Sequence, residues 1–329
     1  MFSRVWPALA LAVGVVAASP PARADDWAFE KDRWFAACDG ASTCTAWAIG
    51  GGGSGHVILV EKANGERALT IGAPRGEVAN RNRPVAFRID VTSRQGQPPW
   101  ARLVTGLDPD ERWLVFRTAD PATIDAALRA IEAGDRLRVR VEGRPEFAAQ
   151  IPLAGATAAL AWIRGHDRRD ADRAAVSRAP AVSQADLPRT PPPLAFANYD
   201  EGCPPGQGGV QAARLAPGKV LWIGTCGSGY NHDAVLALTD EAGAVLPLAT
   251  PTAPDSEPPA HNLAYDPATR LLSAVSYASA GRDCGEALRW AWDGAAFHLV
   301  ERAELRGDSC QGVTEKDWPV LYRARIVDR

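Results

Sequence analysis

The spacing of apolar residues along the chain predicts short β-strands rather than long helices. Alternating or continuous apolar runs recur between Gly, Pro and Asp residues, which is typical of antiparallel β proteins. In the first half they predict the following strands: Trp34–Cys38, Cys44–Ile49, His56–Val60, Ala68–Ile71, Val85–Val91, Trp113–Phe116, Arg136–Val141 and Phe147–Leu153. We therefore predict an antiparallel, β-sandwich-like domain over residues 25–164.

One or two helices interrupt this pattern. Apolar residues recur at helical spacing in one segment, where Ile124, Ala127, Leu128 and Ile131 form a single face. Asp120 can cap that segment and Gly134 can end it, so the sequence predicts a helix over residues 121–133. A short Ala-rich helix, Ala156–Ile163, closes the domain.

A second β domain is predicted over residues 194–329, after a Pro-rich linker at 165–193. The run Leu187-Pro-Arg-Thr-Pro-Pro-Pro193 favours a stiff, extended spacer. Beyond it, Asp240, Asp266 and Asp293 each stand between two apolar runs, at intervals of 26 and 27 residues. Asp at such positions is typical of tight turns, so we predict an array of hairpins forming an antiparallel meander, closed or nearly so.

The first 24 residues are predicted to be a cleaved signal peptide. Arg4 precedes an apolar run over residues 8–18, and Ala22-Arg-Ala24 is typical of a cleavage site. The run is shorter than the roughly 20 residues that span a bilayer. We expect a mature periplasmic chain of a Gram-negative bacterium, with no membrane span.

Six cysteines are present, and an even count in an exported protein predicts disulfides. Their positions favour three local bridges among 15 possible pairings: Cys38–Cys44, Cys203–Cys226 and Cys284–Cys310. A metal site is disfavoured because no histidine stands at ligand spacing beside them. No metal and no cofactor is predicted.

Composition and charge point away from nucleic acid. The chain has 36 basic and 39 acidic residues, so no strong overall field attracts a polyanion. A local exception is Arg136, Arg138 and Arg140, which alternate along one strand face. They could receive an anionic glycan or lipid head group, although a solvated strand face is the favoured interpretation.

The candidate catalytic and binding residues lie in the second half. Ser228 and His232 are the one plausible nucleophile and base, but no Gly-x-Ser-x-Gly turn presents the serine, so we predict no catalytic residue. Possible binding residues are Tyr230, Asn231, Trp290, Trp292 and Trp318. For each aromatic residue, filling a small core is the favoured alternative.

Several motifs carry a resemblance to a known family. In the second half they are Cys226…Gly229-Tyr-Asn231, Asp283-Cys-Gly285…Trp292-Asp-Gly294…Phe297 and Cys310…Trp318-Pro319…Arg323; in the first they are Trp34…Cys38-Asp39…Cys44 and Leu153–Ile163. Over essentially the whole mature chain the sequence resembles a family of proteobacterial periplasmic proteins known as domain of unknown function 1176 (DUF1176). The first domain is also similar to the invasion-associated locus B family. The resemblance implies an envelope protein and supplies no catalytic residue.

Together these patterns favour a secreted periplasmic protein with a non-enzymatic binding or envelope-associated role. Its expected partner is an envelope glycan, peptide or protein. Two alternatives stay open. One is a hydrolase of envelope material that uses Ser228 and His232, and the other is a secreted enzyme inhibitor that presents the Cys203–Cys226 loop.

Overall fold

The structure is a computed structural model of the 329-residue chain. It describes residues 28–39, 43–51, 55–74, 85–93, 100–104, 113–144, 147–166, 174–192, 196, 209–227, 229–253, 261–282, 284–305, 313 and 315–329. The predicted signal peptide, Cys203, Ser228, Asp283 and Cys310 lie outside these residues.

The first half contains two antiparallel sheets. Its strands are β1 (Ala28–Lys31), β2 (Trp34–Cys38), β3 (Thr43–Ile49), β4 (His56–Lys62), β5 (Arg67–Pro74), β6 (Phe87–Ser93), β7 (Trp100–Val104), β8 (Trp113–Thr118), β9 (Gly134–Val141) and β10 (Phe147–Pro152). Sheet 1 has the order β1-β2-β3-β4-β5-β8, and sheet 2 has the order β10-β9-β6-β7. The predicted strands are confirmed with small shifts at their ends, whereas β1 and β7 were not predicted.

Two helices accompany these sheets, as the apolar spacing predicted. Helix α1 (Pro121–Ala133) begins at Asp120, whose carboxylate accepts a hydrogen bond from the backbone N–H of Thr123 at 2.9 Å. That bond satisfies a donor that has no partner within the helix. Helix α2 (Ala156–Gly165) buries Ala156, Ala159, Leu160 and Ile163. One core joins the helices with one face of each sheet, so residues 28–166 form the unit that we call the first sandwich.

The second half contains two further antiparallel sheets. Sheet 3 consists of β12 (Val210–Ala216), β13 (Lys219–Cys226), β14 (Asp233–Thr239) and β15 (Val245–Leu246). Sheet 4 consists of β16 (Ala264–Asp266), β17 (Leu271–Tyr277), β18 (Gly285–Trp292), β19 (Phe297–Leu305) and β20 (Val320–Arg323). Their facing side chains form one core that includes Leu221, Ile223, Leu272 and Trp290. The chain is thus mainly β, as predicted, and we call this unit the second sandwich.

The three Asp-led hairpins are confirmed. Asp240 joins β14 to β15, Asp266 joins β16 to β17, and Asp293 joins β18 to β19. Each carboxylate accepts backbone N–H bonds within its own turn, as Asp293 does from the residue at 295 at 2.7 Å. The meander differs from the prediction in being divided between two packed sheets, because the apolar faces of β13 and β18 cover each other.

The predicted linker contains ordered structure of the second sandwich. Strand β11 (Ala175–Arg178) pairs in parallel with β21 (Arg325–Asp328), and Ala179 is buried in the core between sheets 3 and 4. Further along, the side-chain amide of Gln184 donates to the carbonyl oxygen of Arg214 at 2.9 Å. Residues 174–192 therefore pack on the second sandwich, which differs from the extended spacer that the proline run favoured.

Candidate functional site

The two sandwiches share a third hydrophobic core, and the candidate site lies in it. The face of sheet 1 that points away from the helices packs against sheet 4. From sheet 1 this junction core takes Ala37, Trp47 and Ile58; from the second sandwich it takes Cys284, Ala287, Ala303, Leu305, Val313 and Trp318. A backbone hydrogen bond also crosses the junction, from Arg323 N to Asp39 O at 3.1 Å. The sandwiches are therefore packed together through apolar surface.

A polar cleft of about 260 Å³ opens beside this core. Both sandwiches line it, with threonine hydroxyls and charged groups from sheet 1 facing the segment that leads into β20. The side chains that matter for its chemistry are Asp39, Thr43, Thr45, His56, Thr70, Arg117, Asp317, Trp318 and Arg323. Pockets for drug-sized ligands measure roughly 300–1,000 Å³, so this cleft has room for a smaller polar molecule.

Asp39 is the most deeply buried charged group in the cleft, with no exposed surface. One carboxylate oxygen accepts a hydrogen bond from Thr43 N at 3.0 Å. The other lies 3.8 Å from one guanidinium nitrogen of Arg323, whose other terminal nitrogen lies 3.0 Å from a carboxylate oxygen of Glu301. Burying a carboxylate is costly unless it is paired and hydrogen-bonded. Asp39 is hydrogen-bonded within the first sandwich by Thr43 and paired with Arg323 across the junction.

His56 owes its place in the cleft to a glycine on the neighbouring strand. It is 3 % exposed and lies directly opposite Gly72 in the β4–β5 pair. A Cβ atom at Gly72 would overlap the imidazole ring. The missing side chain thus creates the space that the ring occupies, and a larger residue at 72 would displace His56.

Arg117 and Asp317 lie at the rim, where their charged atoms are 4.0 Å apart. Trp318 follows and is 3 % exposed, with its ring edge-to-face against Tyr277 at a centroid distance of 6.0 Å. Burial raises the pKa of Tyr277, and the nearby carboxylate of Glu315 raises it further. The hydroxyl of Tyr277 donates to that carboxylate at 3.3 Å, so the tyrosine is protonated at neutral pH and serves as a donor.

The chemistry of the cleft suits recognition of a polar, uncharged ligand. Two carboxylates, Asp39 and Asp317, are matched by two guanidinium groups, Arg117 and Arg323. The threonine hydroxyls add groups that can both donate and accept hydrogen bonds. Within the described ranges there is no group of three or more His, Cys, Asp and Glu side chains that could hold a metal ion.

Of the residues singled out from the sequence, Trp318 is the one that lines this cleft. Trp290 has no exposed surface, and its indole N–H donates to Thr252 O at 2.9 Å. Trp292 is 2 % exposed and packs against Phe297. The burial of Trp290 and Trp292 favours a role in filling the core over a role in binding a ligand.

Tyr230, Asn231 and His232 lie together at one end of the second sandwich. The side-chain amide of Asn231 donates to Tyr277 O at 2.8 Å and accepts from Tyr277 N at 2.9 Å, so it continues the sheet in place of a strand. Tyr230 is half-buried there. A ring nitrogen of His232 is hydrogen-bonded to Gly227 O at 3.1 Å. Ser228 lies outside the described residues, so its geometry with His232 stays a prediction.

The structure gives part of the disulfide pattern. Cys38 and Cys44 are bridged and lie directly opposite each other in the β2–β3 pair. Cys226 and Cys284 each take part in a disulfide bond as well, and none of the described cysteines is free. Their predicted partners, Cys203 and Cys310, lie outside the described residues, so those two pairings stay predictions.

Sequence reasoning missed most of the cleft. Four separate segments of the chain supply Asp39, His56, Arg117 and Arg323. The packing of the two sandwiches brings these segments together. Two signals were available, because Asp39 and Arg323 both belong to motifs that carried the family resemblance, Trp34…Cys38-Asp39 and Trp318-Pro319…Arg323. Nothing in the sequence indicated that the carboxylate of Asp39 would be buried.

Comparison with known families gives one match. Residues 177–325 match the sequence model of the family described as "Protein of unknown function (DUF1176)". This supports the DUF1176 resemblance for the second sandwich and β11. The match is shorter than the whole-chain resemblance that the motifs suggested, since it leaves out the first sandwich.

No curated protein and no solved structure matches the chain. Among the helices that the structure describes, none is long and apolar enough to cross a membrane.

Proposed function

We propose that this chain is an exported periplasmic protein that binds a small, hydroxyl-rich ligand in the cleft between its two sandwiches, without transforming it. The ligand class that fits is a single sugar unit of an envelope glycan. The observation that carries the proposal is the cleft itself, where threonine hydroxyls and balanced charges from both sandwiches surround about 260 Å³.

Export is supported by the leader-like first 24 residues and by the oxidised cysteines. Disulfides persist in the periplasm and are rare in the cytosol, and Cys38, Cys44, Cys226 and Cys284 are all bonded. The second sandwich matches DUF1176, a family that we expect to occur in proteobacterial envelopes. A similarity of the first sandwich to the invasion-associated locus B family would also fit a location in the envelope. N-terminal sequencing of protein from a periplasmic fraction should give Asp25 as the first residue, and recovery of an uncleaved cytosolic chain would refute export.

A binding role fits the cleft better than hydrolysis does. A hydrolase needs a nucleophile beside a base that is oriented by a third group. Among the described residues that line the cleft there is no serine or cysteine, and we assign its threonine hydroxyls and carboxylates to holding the ligand. No observation on the described residues favours the inhibitor or the hydrolase, whose key residues Cys203 and Ser228 lie outside them.

The test uses calorimetric titration of the full chain with two uncharged sugars, glucose and N-acetylglucosamine. We expect at least one to bind and Arg117→Gln to weaken that binding by about 10-fold or more, as expected for a lost hydrogen bond from a charged donor. Arg325→Gln is the matched control, because Arg325 is exposed and does not line the cleft. The proposal fails if none of the sugars binds at millimolar concentration, or if both variants weaken binding equally.

A further inference from the structure

A second feature stands apart from the cleft, on the outward face of sheet 2. Along β6, Phe87, Ile89 and Val91 have no exposed surface and point into the first sandwich. Because successive side chains of a strand point to opposite faces, Arg88 and its alternate neighbours lie on the other face of the sheet. Arg88 is exposed there, whereas Asp90 is 7 % exposed. The same alternation on β9 buries Leu137, Val139 and Val141 and turns the intervening arginines outward.

The strand register places these outward arginines side by side. Arg88 lies directly opposite Arg140, and Arg138 lies opposite Asp90. Like charges directly opposite each other in an antiparallel pair are destabilising, so the Arg88–Arg140 pair opposes folding.

The face carries a local excess of positive charge. Its arginines are Arg88, Arg136, Arg138, Arg140 and, on the following turn, Arg144, whereas its carboxylates are Asp90 and Glu142. Five positive and two negative groups give a formal charge of +3 on the described part of this face, where the whole chain has a formal charge of −3. The described part of this face is therefore positive although the chain as a whole is negative.

The arginines line a shallow concavity rather than a closed pocket. The space beside Arg88, Arg140 and Arg144 measures about 680 Å³, and the described residues that line it all belong to the first sandwich. Along β9, alternate side chains are spaced by about 6.6 Å, so Arg136, Arg138 and Arg140 form a row about 13 Å long. A row of this kind matches a linear polymer with repeated acid groups better than it matches one small anion.

We propose that this face, the arginine face, binds an acidic polysaccharide that lies along β9. Thr92 and Gln150 are on the same face and offer hydroxyl and amide groups for sugar hydroxyls. Single-stranded nucleic acid binds through its phosphates as well as through stacking on aromatic rings, so single-stranded DNA serves as a competing ligand in the test. Membrane surfaces bind through several apolar anchors beside basic residues, and Leu103 is the one large apolar side chain exposed here among the described residues.

The test measures binding of the full chain to immobilised polygalacturonate, a linear polymer with one carboxylate per sugar, over a range of NaCl concentrations. We expect binding that weakens with salt, and no binding to neutral dextran. The double variant Arg88→Gln/Arg140→Gln should weaken polygalacturonate binding by about 2- to 30-fold, the range for loss of two exposed ion pairs. Its thermal midpoint should stay the same or rise, because the like-charge pair is removed.

The matched control is Arg129→Gln/Arg325→Gln, which removes two exposed arginines elsewhere on the surface. It should bind polygalacturonate as the unmodified chain does. Equal weakening in both double variants would overturn the proposal, because binding would then depend on net charge alone. Three other results would also overturn it: no binding at low salt, competition by monomeric galacturonate as strong as that by the polymer, or tighter binding to phosphatidylglycerol vesicles or single-stranded DNA.

Discussion

The junction core makes a sharp prediction about Ile58. This side chain lies on the face of sheet 1 that points away from the helices, and it is 6 % exposed because the second sandwich covers it. If the two sandwiches were independent, that face would be in contact with solvent. The stability effect of Ile58→Ala therefore reports directly on whether the sandwiches share a core.

The expected magnitude follows from the burial. Truncating a buried Ile to Ala removes apolar contacts and leaves a cavity, which costs about 2–5 kcal/mol of unfolding free energy. Surface substitutions usually change it by no more than about 0.5 kcal/mol. The two arrangements thus differ by at least about 1.5 kcal/mol, which is well above the error of a careful denaturation experiment.

Urea unfolding of the full, oxidised chain, followed by far-UV circular dichroism, measures this difference. Leu59→Ala is the matched control, because Leu59 is 1 % exposed and points into the first sandwich. It should lose about 2–5 kcal/mol whichever arrangement holds. If Leu59→Ala has that effect and Ile58→Ala changes stability by less than about 0.5 kcal/mol, the shared core does not exist and the cleft beside it is not a site.

Three other predictions test local structure. Replacing Cys38 and Cys44 by Ser should lower the unfolding free energy by about 2.4 kcal/mol, measured by urea unfolding, because a short loop is released; an unchanged midpoint would contradict this. Hydrogen bonding from Thr269 lowers the pKa of Asp266 below its ordinary 3.8. The ionised carboxylate of Asp266 therefore stabilises the folded state above pH 3.8, and this contribution is lost as the pH falls through the pKa of the folded state. Asp266→Asn should flatten the acid limb of thermal stability, and an identical pH profile would refute this. Gly285→Ala should lose at least about 2 kcal/mol in thermal unfolding, because a Cβ there meets the carbonyl oxygen of residue 276 at a φ of 150°; a neutral result would show that the backbone adjusts.

Local patterns in the sequence predicted much of the fold. Asp120, Pro121 and Gly134 marked both ends of α1, because capping depends on residues within one turn of each end. The Asp-led turns at 240, 266 and 293 were predicted for the same reason, since each carboxylate bonds the backbone of its own turn. Strand β7 was missed because its Trp100-Ala-Arg-Leu-Val104 sequence has no regular alternation.

The segment at 174–192 shows why proline-rich sequence alone misleads. Prolines exclude helix and central strand, and this favoured an extended spacer. The sequence could not indicate that β21, about 150 residues later, would pair with β11. That pairing depends on the return of the chain at its C-terminal end, where Arg178 forms an ion pair with Asp328 at 2.8 Å.

The sequence by itself determined both helices, most strands of the first sandwich, the Asp-led turns and the bridging of Cys38 to Cys44, because these depend on residues that are close along the chain. It also marked Arg136, Arg138 and Arg140 as one strand face. Only the tertiary structure decided that Arg88 lies opposite Arg140, and that sheet 1 and sheet 4 cover each other and form the cleft. Long-range packing depends on which apolar faces meet, and both faces of sheet 1 are apolar enough to be buried.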